Sequence, residues 1–279
     1  MLDELAAVER VHLLHPLSAP PPSHRLLGLP EHLDACVFDL EGVLVGSARV
    51  HAAAWTETFD EFLPRWAERG RRAAPISGFT ERDYRDSIHG RPRLEGVQTF
   101  LASRGIRLPQ GKPTDAPGAP TVWGLANRKA EAFRRLIDDA GVPAYAGAQL
   151  YLERVREAGL RCAVVTASAN ASRVIARAGL DALVEFVIDG DTMREEHLRS
   201  KPAPDTLVVA CERLGIPPAE TAAFETTAAG VDAAKAAKLG YVVAVDRHGL
   251  VLREHGADVV VTELAALLRP DTRLLQLPT

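Results

Sequence analysis

The chain reads as an α/β protein: a parallel sheet whose first strand is followed by an inserted block of helices. Three observations predict this. Short apolar runs of four to five residues end in Gly, Asp or Thr turns, as buried strands do. From residue 149 onward these runs alternate with Ala-rich helical stretches, the pattern of a parallel sheet. Between the first run and that alternation lie some eighty residues with helical periodicity and no convincing strand, which marks them as an insertion.

Composition supports a folded protein of this class. The chain has 279 residues, 47% of them hydrophobic and 25% charged, enough for one large domain and a smaller one. The net charge of −4 gives no basic field for nucleic acid or an anionic membrane surface. Local exceptions are Arg91, Arg93 and the run Arg69-Gly70-Arg71-Arg72, which read as solvated faces. Cys36, Cys162 and Cys211 are isolated in apolar settings, so neither a zinc site nor a disulfide framework is expected, and buried thiols fit a reducing cytoplasm. No stretch approaches the ~20 apolar residues of a membrane span, and the acidic start (Asp3, Glu4) does not resemble a signal peptide.

Residues 1–34, with Pro16 and Pro20-Pro21-Pro22, read as an N-terminal extension that wraps the surface or is partly mobile. The first strand follows at Ala35–Phe38. Ala48–Glu68 is helix-like, with Trp55, Phe59 and Phe62 on one face. Further helices are expected at Glu81–Ile88, Leu94–Arg104 and Asn127–Ala140, the last two joined by a Pro/Gly-rich loop at 108–120. The later strands are expected at Arg161–Val165, Val184–Ile188, Thr221–Phe224, Tyr241–Val245 and Asp258–Val261. Helices at Gln149–Ala158, Ala171–Ala178, Pro204–Leu214, Ala228–Lys238 and Glu263–Leu268 separate them. The predicted division is a core of 35–47 and 147–270, a helical cap of 48–146, and a tail of 271–279.

Polar residues gather where these strands end. Asp39 and Glu41 follow the first strand, Thr166-Ala167-Ser168 the second, and Glu225-Thr226-Thr227 the strand at 221–224, while Lys201-Pro202 precedes a helix. Singly, each reads as a turn or cap residue. Together they supply a carboxylate nucleophile, a hydroxyl, an ammonium and a second acid at one sheet edge, where open α/β sheets bind ligands. Phosphoryl transfer to a carboxylate needs that set, because its catalysis is mainly positioning and charge neutralisation.

The order FDLEGVL, VVTASAN, KPAPD and FETTAAGV resembles the four motifs of the haloacid dehalogenase-like superfamily. The segments Ser47–Trp55, His89–Val97 and Gly124–Lys129 are similar to the cap of its β-phosphoglucomutase-like branch. The resemblance covers about 35–265 and implies a Rossmann-like parallel core with an inserted all-helical cap, acting as a monomer on a phosphorylated sugar. It implies that Asp39 is the phosphorylated nucleophile, Glu41 the general acid/base, Thr166 the phosphoryl-binding hydroxyl and Lys201 the cation beside the phosphoaspartate. Arg93 would grip a far phosphate, and Ser168, Asn170, His51 and Lys129 would be substrate-side or cap-closing groups. Magnesium would be held by Asp39, the Glu41 carbonyl and Glu225, with Thr226 beside them.

Four positions depart from the family pattern. Glu41 stands where Asp is usual, one C–C bond (~1.5 Å) longer, and Thr226 stands where a second acid is usual. Gly46 replaces an acid, and Ala169 replaces a lysine or polar residue. Two readings follow: a working phosphatase or phosphomutase with weakened metal binding, or a relative of reduced activity that binds a phosphorylated ligand or a protein partner.

Overall fold

A computed structural model describes residues 24–69, 77–88, 91, 93–247, 249 and 252–268. Its six strands are β1 (Ala35–Phe38), β2 (Arg161–Val165), β3 (Phe186–Ile188), β4 (Thr221–Glu225), β5 (Tyr241–Val245) and β6 (Val259–Val261). They form one parallel sheet in the order β3-β2-β1-β4-β5-β6. β1 is central, paired to β2 and β4, so the ends of all three lie side by side. All four β1 residues are buried, as the apolar run requires. Cys36 and Phe38 face one core and Ala35 and Val37 the other, the period-two alternation of a strand covered on both sides.

Helices α5 (Ala146–Glu157) and α6 (Ala171–Arg177) lie on the Phe38 side, where Phe38 stacks on Phe224 at 4.3 Å. Helices α8 (Asp205–Leu214) and α9 (Ala228–Ala236) cover the other face. The helical insertion after β1 is as expected. It holds α1 (Ala48–Arg69), α2 (Glu81–Asp83) continued by a π-turn over Tyr84–Ile88, α3 (Arg93–Ser103) and α4 (Val122–Ala140). It has its own core, in which the Phe59 and Phe100 rings lie 4.0 Å apart and Phe79 5.1 Å from each.

Three details differ from the sequence expectation. α4 starts five residues earlier, because Thr121 caps it by accepting from the Gly124 N–H. α7 (Gly190–Glu195) was not anticipated; Asp189 caps it, its side chain accepting from the N–H groups of Asp191 and Thr192. The segment 24–34 is not a surface wrap. A 3₁₀ turn at His24–Leu27 places Leu27, Leu29 and Leu33 in the core, and the buried Tyr151 hydroxyl donates to the Leu27 carbonyl. The expected tail 271–279, the extension 1–23, the run Gly70-Arg71-Arg72 and His89-Gly90 lie outside the described residues. Among the described residues no helix is long and apolar enough to cross a membrane.

Candidate active site

The tips of β1, β2 and β4 converge on Lys201. Its Nζ lies 3.0 Å from Asp39 Oδ1 and 2.8 Å from Glu225 Oε1, and 3.4 Å from the Val165 carbonyl at the end of β2. Asp39 and Glu225 hold these places because each ends a strand paired directly to the other. Glu225 is buried, its carboxylate lying over the first turn of α9. A Cβ on Gly230 would stand 2.0 Å from its Oε2, so only glycine permits that approach.

Charge follows from this geometry. Burial pushes Lys201 toward neutrality, but Asp39 and Glu225 outweigh it and hold its pKa above the ordinary lysine value. Burial raises both acids against Lys201's pull; the Glu41 charge adds to the rise at Asp39, and the Asp39 charge to that at Glu225. Glu225 is pushed up to about 7.

Glu41 begins a second chain of contacts. Its Oε1 lies 3.0 Å from His51 Nε2, and His51 Nδ1 lies 2.8 Å from Lys129 Nζ. A carboxylate only accepts, so Nε2 carries the proton toward Glu41 and Nδ1 accepts from Lys129. His51 stacks on Phe133 at 4.1 Å, and Lys129 sits 4.5 Å over Phe133 and 5.4 Å over Trp55. Burial raises the Glu41 carboxyl, but the His51 hydrogen bond and the Lys129 charge hold it below its ordinary value. Lys129 is buried and faces Arg93, which together outweigh Glu41 and bring it down to about 7.

The other expected site residues fall into two places. Thr166, buried at the β2 tip, accepts from the Ser168 N–H at 3.2 Å, which fixes the turn carrying Ser168. Arg93, Ser168 and Asn170 line a cleft of about 410 Å³ with His51 and Lys129, between α3 and α4 on one side and the 167–170 turn and α7 on the other. Trp123 and Arg194 also line it and were not anticipated; a lone Trp or Arg on a helix carries no signal by itself. Tyr84 was also missed: Glu41's charge, after burial, raises its phenol. The rings enclosing Lys129 were legible in spacing, since Trp55 follows His51 by four residues and Phe133 follows Lys129 by four.

The oxygen atoms near Asp39 suit a hard divalent cation. Asp39 and Glu225 contribute carboxylates, and the Thr226 hydroxyl lies 3.5 Å from the Glu41 carbonyl. Gly42, at φ +86°, is packed so closely that a Cβ would stand 3.1 Å from the Thr226 methyl. Among the described residues no group of three or more His, Cys, Asp or Glu side chains gathers as a metal cluster. The balance of two carboxylates against one lysine, with Glu225 raised to about 7, is also what a bound cation would relieve.

Comparison with known proteins identifies the family. The family model for haloacid dehalogenase-like hydrolases matches residues 33–238. A β-phosphoglucomutase of Mycobacterium tuberculosis is 46% identical over 250 residues, covering 88% of this chain and 95% of the relative. Protein CbbY of Rhodobacter capsulatus is 30% identical over 219 residues, covering 76% and 85%. The crystal structure of a HAD family hydrolase from Deinococcus radiodurans R1, with bound phosphate and sodium, superposes with a TM-score of 0.59 at 26% identity, covering 85% and 98%. The sheet order, the helical insertion and these matches lead to one conclusion: the chain is an enzyme of the haloacid dehalogenase-like hydrolase family.

Proposed function

We propose that the protein transfers a phosphoryl group from a sugar phosphate to Asp39, with 48–146 acting as the cap and 35–47 with 147–270 as the core. The observation that carries this is the Lys201 ammonium, bonded to Asp39 at 3.0 Å and half-buried with it at the central strand tip. A lysine so placed pulls Asp39 toward its ionised form against burial and neutralises charge on an incoming phosphoryl group. The name of the 46% identical relative supports a phosphomutase outcome.

In this reading an Asp39 carboxylate oxygen attacks phosphorus as the bond to the leaving sugar oxygen breaks. Lys201 and Thr166 hold the phosphoryl oxygens. Glu41 enters this step protonated and gives its proton to the leaving sugar oxygen; the carboxylate so formed, held by His51 and Lys129, then takes the proton of the incoming hydroxyl, so protons balance over a cycle. Magnesium, held by Asp39, the Glu41 carbonyl, Glu225 and Thr226, would supply charge neutralisation at the phosphoryl oxygens. Arg93, Ser168 and Asn170 would bind the far end of the sugar phosphate in the cleft. Water as acceptor makes the enzyme a phosphatase; a second sugar phosphate makes it a mutase.

The test is a sugar-phosphate panel assayed with and without magnesium, with mass spectrometry for a phosphorylated chain. Asp39→Asn is expected to abolish turnover and phosphorylation. Turnover surviving in that variant would overturn the nucleophile assignment. Thr226→Asp is expected to tighten magnesium binding; a parent without turnover that gains it in Thr226→Asp would favour the reading of reduced activity.

A further inference from the structure

The two crossings between sheet and helical insertion run side by side. Val45 and Ala144 form an antiparallel bridge, the Gly46 N–H donates to the Pro143 carbonyl at 3.1 Å, and the Tyr145 N–H to the Leu44 carbonyl at 2.9 Å. Within the first crossing the Gly42 N–H donates to the Val45 carbonyl at 2.9 Å, closing the turn that follows Glu41.

Arg247, on the loop after β5, reaches both crossings. Its guanidinium donates to the Gly42 carbonyl and lies 3.8 Å over the ring of Tyr145. A planar, weakly hydrated guanidinium can lie flat over a ring while its N–H groups donate in its own plane. Gly46 leaves the ring its place: a Cβ there would already touch it at 3.4 Å, so a longer side chain directed the same way would displace it. Gly42 follows Glu41, whose own carbonyl meets the Thr226 hydroxyl. Two successive carbonyls of one turn are therefore tied to two different strand tips, β4 through Thr226 and β5 through Arg247.

We infer that Arg247 is a positioning residue for the Asp39 site. It clamps the Gly42 carbonyl and the Tyr145 ring together, so the turn carrying Glu41 and both hinge segments move as one piece. Arg247 acts through the hinge and not on substrate. The inference rests on the phosphoryl-transfer reading for its effect on turnover, but the clamp itself is measurable without turnover.

Amide hydrogen exchange on the full chain is that measurement. In Arg247→Gln the N–H groups of Gly42, Gly46 and Tyr145 are expected to exchange roughly tenfold faster, with β1 and β4 still protected. Tyr145→Leu, which leaves Arg247 in place, is expected to loosen the same three amides, and Arg247→Lys to recover part of the protection. In Arg247→Gln, kcat is expected to fall roughly tenfold with KM within about threefold, because the substrate contacts are untouched. Unchanged exchange in both Arg247→Gln and Tyr145→Leu overturns the clamp, and so does a rise spread evenly over the sheet. Faster local exchange with parental kcat overturns the positioning role. A parent that turns over no phosphosugar counts against the phosphoryl-transfer reading, while the exchange data still decide the clamp.

Discussion

Two lysines largely withdrawn from solvent meet opposite fates in this protein. Lys201 lies between two carboxylates and has its pKa raised, whereas Lys129 lies against His51 and two aromatic rings and is brought down to about 7. Both pay the same kind of desolvation penalty; the difference is the number of acids in direct contact. Lys201 is thus a fixed charge, suited to holding a phosphoryl group. Lys129, brought down to about 7, is suited to passing a proton.

Methionine at each position should separate the two most sharply. Lys201→Met leaves Asp39 and Glu225 facing each other without their cation, and loss of one partner from a buried pair costs roughly 3–5 kcal/mol. Lys129→Met keeps the stem against Trp55 and Phe133 and sheds a buried charge. It is expected to stabilise the fold by roughly 1 kcal/mol at pH 6, net of the lost ring contacts. Urea unfolding of both variants checks this, and a destabilised Lys129→Met would break the contrast.

The pH dependence of stability sharpens it further. Lys129 has a folded pKa of about 7, and an unfolded lysine titrates near ~10.4. Between those values the unfolded chain holds more protons, so stability attributable to Lys129 rises with pH, and Lys129→Met should remove that rise. Glu225 behaves oppositely. Its folded pKa of about 7 stands above the unfolded value of ~4.3, so the folded chain holds more protons in that window and stability falls as pH climbs through it. Glu225→Gln should flatten the fall. Magnesium should raise Tm more at pH 8 than at pH 5, because it favours the ionised carboxylate; an equal rise at both would count against the metal assignment.

The smallest effect is expected at His51. His51→Gln removes the imidazole that links Glu41 to Lys129, so kcat should fall roughly tenfold, at the low end of acid–base contributions. Glu41's pKa should then rise, moving the acid limb of the pH–rate profile to higher pH. An unmoved limb would show that His51 does not tune Glu41.

The core was more legible in the sequence than the cap. Ala35–Phe38, Arg161–Val165 and Tyr241–Val245 are apolar runs whose bounds coincide with the observed strands, because burial on both faces leaves no freedom in composition. Asp39, Glu225 and Lys201 were legible for the same reason, as polar residues breaking such runs or standing in a Pro-rich turn. The Glu41–His51–Lys129 chain was legible only as separate candidates, since its last link joins residues 78 positions apart and depends on how α1 and α4 pack. Arg247 and Tyr145 gave no signal, because a contact between the loop after β5 and a cap crossing follows from tertiary approach alone. The leucines of 24–34 were obscured by the prolines before them.

Those leucines bear on where the chain can be shortened. The family model begins matching at residue 33, which invites trimming to that point. Such a cut would discard Leu27 and Leu29 from the interior and take away the carbonyl that satisfies the Tyr151 phenol, leaving a buried hydroxyl without its acceptor. A chain that keeps Leu27 and Leu29 is therefore expected to be more stable than one begun at residue 33, and the recognisable family segment is shorter than the hydrophobic core it belongs to.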